Sequence, residues 1–203
     1  MAKTLRSVAF ATVLTVLFPF VGGTQTLPAA TDSLAPHFRI QVFGDTVTDF
    51  PSRIEKYFEL RGQLERGLPA MTVTEDVRQI RRRTRSLAEA IRVARRGAVQ
   101  GEFFTAATSV EFKRVLALIM NTAVWALIMD ENPGAFRHDI DGSYPDVKTY
   151  STMPGIVLAR LPQLPDDIQF RFVGPHLILY DVRANTIIDR LPNAIECADD
   201  CDD

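Results

Sequence analysis

Eight arginines crowd the 22 residues from Glu75 to Arg96 against three acids, a local charge of +5. Arg78, Arg85 and Arg92 recur every seven residues, and Arg82 lies among them. A guanidinium is planar, permanently charged and rich in donors, so a row of them suits bidentate contact with carboxylate or phosphate. No aromatic residue is interleaved, so stacked bases have no platform. Arg78, Arg82, Arg85 and Arg92 are therefore candidate binding residues for an acidic partner, such as anionic lipid, acidic polysaccharide, a protein, or the chain's own tail. The plainer alternative is a solvated helix face.

That tail, ECADDCDD (residues 196–203), carries −5 and the only two cysteines, Cys197 and Cys201. An even pair in an oxidising compartment predicts a disulfide. Pairing between chains stays open, as does a metal site built from both thiols with Asp199 and Asp200. Zinc sites, however, usually bring further Cys or His ligands at regular spacing. HDIDGSYPD (138–146) resembles the start of a calcium loop through Asp139, Asp141 and Asp146, but its Gly falls two positions early and Tyr150 stands where Glu belongs. It reads better as an Asp-Gly turn.

Catalytic signatures are missing. There is no Gly-x-Ser-x-Gly, His-Glu-x-x-His, Gly-rich phosphate loop or dinucleotide fingerprint. His37, His138 and His176 lie far apart along the chain. Scattered carboxylates remain. Two of them roughly 5 to 10 Å apart in a groove would suit hydrolysis or elimination on an envelope polymer.

The compartment is read from the first residues. Lys3 and Arg6 precede an apolar run from Val8 to about Val21, and small residues follow at Gly22, Gly23, Ala29 and Ala30. This is the pattern of a secretory signal peptide, which places the mature protein in the periplasm or outside the cell. The run is short for a stable membrane span, which needs roughly 20 residues. An uncleaved N-terminal anchor is the rival. Removing residues 1–30 leaves 21 basic against 25 acidic residues, a net charge of about −4. An exported chain of that charge is a poor nucleic-acid binder.

These residues need a frame. A linker (31–45) leads into a helical region (46–130). Phe50, Ile54, Tyr57, Leu64 and Leu68 recur at helical spacing, predicting a helix over 48–66 with Pro51 in its tolerant first turn. A second helix is predicted over 75–96, opened by a capping box of Thr72 with Glu75 and stopped at Gly97. Val77, Ile80, Thr84, Leu87, Ile91, Ala94 and Ala98 form a narrow heptad seam on it. Two such helices with a short loop predict an antiparallel hairpin. A third helix over 109–129 includes VLALIMNTAVWALIM and reads as a buried core helix.

The segment 131–195 is Pro-punctuated and then β-rich. Phe136, His138 and Ile140 alternate as in a short strand, and GIVLAR suggests one helical turn. IQFRFV, HLILYD and TIID predict a three-stranded antiparallel meander turning at Gly174-Pro175 and at Asn185 in the left-handed region. A three-stranded sheet needs a cover, and the third helix is the candidate. The expected fold is thus α+β, with a helical hairpin and a buried third helix packed on a small C-terminal meander. Its outward positions Gln169, Arg171, Asp181 and Arg183 form no recognisable reactive set, so the meander reads as frame.

Several phrases, taken together, carry a resemblance. GEFFT, MDENPG, the Tyr-Pro of GSYP, MPGIVLARLPQLPDDIQFRFVG and LILYDVRANTIID resemble a family of exported bacterial proteins without an assigned activity. That family has a signal peptide, a helical middle and an LP-x-LP lead into a closing β-meander. The resemblance covers roughly residues 50–195 and implies no catalytic residue. Ile168-Gln169-Phe170, Pro175 and the Cys-containing tail depart from the pattern. More distantly, the meander is similar to the closing hairpin of periplasmic nickel-cobalt homeostasis proteins, over about 30 residues. The expected function is a non-catalytic binding or interaction module with no cofactor. A carboxylate hydrolase or lyase and a metal-handling protein are the alternatives.

Overall fold

The computed structural model describes residues 49–70, 74–134, 136, 139–145 and 148–196. The predicted leader and linker, Thr72, His37, His138, Asp146, Cys197 and Cys201 lie outside the described residues. The chain forms α1 (Asp49–Gly67), α2 (Val77–Ala94), α3 (Ala106–Ile119), α4 (Thr122–Asp130), β1 (Gly142–Ser143), α5 (Gly155–Leu158), β2 (Ile168–Val173), β3 (His176–Asp181) and β4 (Thr186–Leu191). This is the predicted α+β fold, a helical part on a small antiparallel sheet.

The sheet runs β1-β4-β3-β2. Gly174, at φ +55°, and Pro175 close β2 onto β3 in the register Val173 to His176. Asn185 takes φ +48° at the next turn, as predicted. β1 is the fourth strand, and it lies beyond the Phe136–Ile140 alternation expected to form one. Gly142 pairs with Ile187 and Ser143 with Thr186. The tight turn before it explains the shift. Asp141 sits at φ +58°, and a Cβ on Gly142 would stand 2.8 Å from the Asp139 carbonyl oxygen, so only glycine fits.

HLILYD is buried on both faces because each face has its own cover. Leu177 and Leu179 join Phe170, Phe172, Ile188 and Leu191 under the helices, while Ile178, Tyr180 and Ile187 pack with Tyr144 on the opposite side. Phe50 of α1 is the hub of the larger core. Its ring centroid is 5.1 Å from Phe112, 5.9 Å from Phe104 and 6.3 Å from Phe170, tying two helices and a loop to β2.

The register of β3 with β4 shifts between Leu179 and Tyr180. Leu179 faces Asp189 while Tyr180 faces Ile187, so Ile188 is the extra residue of a bulge. Without it, Asp189 would share the face of Ile187. The bulge turns Asp189 toward the helices instead.

Three expectations about the helices are corrected. The predicted third helix is two, α3 and α4, bent by 111°. Asn121 causes the break, because its side chain caps α4 by accepting the Val124 N–H at 3.0 Å. Nor is this stretch buried all round, since Val110, Leu118 and Leu127 are largely exposed. Second, α2 is capped by Asp76, which accepts the Arg78 N–H at 2.9 Å, so Glu75 precedes the helix. Third, the heptad seam is buried only in its middle. Leu87 and Ile91 are buried, but Val77, Ile80 and Ala94 are exposed. No single described helix is long and apolar enough to cross a membrane.

Candidate functional site

Helix α2 carries its arginines into two different environments. At the C-terminal end Arg95 is enclosed, with its side chain 8% exposed. Arg95 donates to Asp141 Oδ1, to Glu102 Oε2 at 2.8 Å and to the Ile188 carbonyl at 3.2 Å. Its guanidinium also stacks over the rings of Tyr57 and Phe103, at 5.3 and 5.4 Å. Arg92 pairs with Glu89 and reaches the Asp141 carbonyl, and in the N-terminal half Arg83 alone is engaged within the described residues, donating to the Pro69 and Glu65 carbonyls.

Two further carboxylates lie beneath this region, both wholly buried. Asp181, expected to point outward, accepts from Tyr57 Oη at 2.8 Å, Arg61 Nη1 at 3.3 Å and the Ala184 N–H at 3.1 Å. It faces inward because it pairs with Ile168 and continues the row of Leu177 and Leu179 under the helices. Asp189 accepts the N–H groups of Gly101, Phe103 and Phe104 at 2.9, 2.7 and 2.8 Å, closing the loop that leads into α3. Burial, reinforced by the Asp181 carboxylate, pushes the Tyr57 phenol well above its ordinary range, so it stays a donor. Burial also raises the Asp141 carboxyl to about 6, against the pull of Arg95. These groups are close-packed and paired, and they staple helices to sheet.

The N-terminal half of α2 differs. The guanidiniums of Arg78, Arg81, Arg82 and Arg85 make no hydrogen bond or ion pair within the described residues. Arg81 and Arg85, one turn apart, line a cleft of about 330 Å³ with Thr84 and Ala88 of the same helix. Ser143, Tyr144 and Pro145 form the facing wall, and Ala184 and Asn185 of the β3–β4 turn close the end. Asn185 is fixed there, donating to the Tyr144 carbonyl at 3.1 Å and accepting from Tyr180 Oη at 2.8 Å. Tyr144 is clamped by its hydroxyl on the Thr149 carbonyl at 2.6 Å and by stacking on Tyr150 at 4.7 Å. Burial pushes its phenol up to about 12. Tyr144 and Asn185 are thus held in place, and the opposing Arg81 and Arg85 have no partner among the described residues.

The four predicted binding arginines are thus not one site. Arg85 lines the cleft. Arg82 lines a separate hollow of about 340 Å³ beside Leu68 and Pro69, Arg78 lines neither, and Arg92 is engaged by Glu89. Sequence reasoning missed Arg81, although Arg81, Thr84, Arg85 and Ala88 share one helical face at three- and four-residue spacing.

Two larger hollows hold less chemistry. One of about 610 Å³ runs between α5 and β2, and one of about 540 Å³ lies between α3 and Asn193–Glu196. Among these four clefts only the last is lined by a carboxylate, Glu196. No group of three His, Cys, Asp or Glu among the described residues is placed to hold a metal ion. His176 accepts the Asn193 N–H on Nδ1 at 3.0 Å and so orders the loop after β4. The chain matches no family model, no curated protein and no solved structure.

Proposed function

We propose that this protein is an exported, non-catalytic binding module that holds an acidic partner against the N-terminal half of α2. The observation that carries the reading is the pair Arg81 and Arg85, two cations that line a preformed cleft without a partner among the described residues. Arg83, Arg92 and Arg95 are by contrast engaged within the fold, so free cations are not a general property of the chain. Guanidinium groups one helical turn apart can each engage one anionic group, or share one in a bidentate contact. Arg78 and Arg82 extend the positive field and would speed capture of a polyanion, more strongly at low salt. The wholly buried Asp181 and Asp189 are structural in this reading, which leaves no carboxylate pair in a described cleft for hydrolysis.

Two measurements test it. Titration of the chain with polygalacturonate should give binding that weakens from 20 to 200 mM salt and drops at least about tenfold in Arg81→Glu/Arg85→Glu. Binding undiminished by that double change would refute the assignment. Export is tested by the mass of the protein recovered from the periplasm or medium, which should lack the leader. A soluble cytosolic product beginning at Met1 would remove the choice of envelope partners.

A further inference from the structure

We infer that the cleft beside Arg81 and Arg85 takes one acidic sugar unit, a hexose ring bearing a carboxylate or phosphate, as the repeating element of the partner. The inference rests on the binding reading above and adds the chemistry of what is held. Three features of the cleft meet three features of such a unit. Its outer wall offers two guanidiniums, unpartnered among the described residues, to a single anionic group.

Its polar side offers hydroxyls and an amide. Ser143 Oγ and Thr84 Oγ1 have no hydrogen-bond partner among the described residues. Asn185 Nδ2 uses one proton on the Tyr144 carbonyl and retains a second. Hydroxyls both donate and accept, so they suit sugar hydroxyls, whereas a bare inorganic anion would need donors alone. Its floor is apolar. Ala88 and Ala184 are 5% and 1% exposed and present only a thin apolar surface, which fits the C–H face of a pyranose.

Size agrees. The cleft holds about 330 Å³, at the low end of the roughly 300 to 1,000 Å³ typical of small-ligand sites, enough for one ring but not a chain folded on itself. The open mouth, bounded by exposed Arg81, Arg85 and Ser143, lets a polymer enter with one residue seated and its neighbours passing Arg78 and Arg82. An anionic lipid headgroup would use the arginines but leave the hydroxyl wall and the Ala floor idle.

Calorimetric titration of the full chain with galacturonate, glucose 6-phosphate, galactose and acetate tests this. At least one charged sugar should bind about tenfold or more tightly than both acetate and galactose, because only it meets both walls. Which one wins separates a carboxylate from a phosphate source. Thr84→Val/Ser143→Ala should cut charged-sugar affinity about fivefold or more while leaving acetate binding and the salt dependence of polygalacturonate binding unchanged. Arg78→Glu, outside the cleft, should leave the monosaccharide affinity within twofold.

Charged sugars no tighter than acetate, or an affinity indifferent to Thr84→Val/Ser143→Ala, overturns the sugar assignment and leaves the wider reading intact if polygalacturonate still binds. Absence of both polymer and monosaccharide binding overturns the two together. Unchanged thermal melting of the double variant shows that it is folded.

Discussion

Arg85 and Arg95 lie ten residues apart on one helix and carry the same charge, yet their surroundings are opposite. Arg95 is 8% exposed at its side chain, held by two carboxylates and a carbonyl and sandwiched against Tyr57 and Phe103. Arg85 is exposed, has no partner among the described residues and lines a cleft. The first arrangement commits three of its five N–H donors within the fold. The second leaves donors for something outside it. Charge alone therefore does not mark a binding site; unpaired charge beside a rigid, partly polar wall does.

The largest expected effect sharpens the enclosed side of that comparison. Asp181→Ala would leave Arg61, which is 4% exposed, with only its 3.8 Å pair to Asp167 and remove the acceptor of the Tyr57 hydroxyl. Breaking a buried pair by deleting one partner costs about 3 to 5 kcal/mol, and the low end is expected because Asp167 compensates part of the remaining charge. Tyr57→Phe removes one hydrogen bond and should cost only about 1 kcal/mol. Replacing both ions, as in Arg61→Met/Asp181→Leu, should recover much of the loss. Urea denaturation of the three variants checks the order. Equal stability of Asp181→Ala and the parent would mean that this carboxylate does not anchor α1 to the sheet.

The other side of the comparison predicts no change in folding. Arg81→Glu/Arg85→Glu touches no buried contact, so melting should stay within about 2 °C while polyanion binding falls at least tenfold. Loss of stability together with binding would mean that the arginines act through the fold, and the contrast between the two ends of α2 would dissolve.

How far this was legible in the sequence follows from the range of the interactions. The meander was legible almost to the residue, because alternation in IQFRFV and a left-handed Asn185 are local signals. α1 was legible from its spacing. The Arg-rich helix was visible, but the split among its arginines was not. Arg95 is enclosed because Asp141, Glu102 and Ile188 arrive from 46, 7 and 93 residues away, and sequence spacing carries no trace of that meeting. Asp189 was hidden for a different reason. A one-residue bulge decides which face it occupies, and nothing in TIID announces the bulge. The break at Asn121 was legible in principle, since a cap residue interrupts VLALIMNTAVWALIM. Apolar continuity outweighed it in the reading.

The smallest effect lies at the boundary between the two ends of α2, where Asp141 ends the enclosed network just before β1. Arg95, Glu102, Arg92 and Asp189 surround its carboxyl, and burial dominates them, raising it from 3.8 to about 6. Between those values the folded chain holds a proton that the unfolded chain has released. Stability from this group is therefore fully present below about pH 4 and lost as pH rises through about 6. The direction is counter-intuitive for a carboxylate beside an arginine. It means that desolvation of the charged form costs more than Arg95 returns. Asp141→Asn tests this cleanly, since asparagine tolerates the φ of +58° and can still accept from Arg95. The stability difference between variant and parent should change by about 1 kcal/mol between pH 4 and 7, with the variant gaining on the parent as pH rises. If the variant instead falls behind over that range, the ion pair outweighs burial. The boundary residue would then belong with Arg95 as a net electrostatic clasp, and the enclosed network would be held together by its charges as well as by its packing.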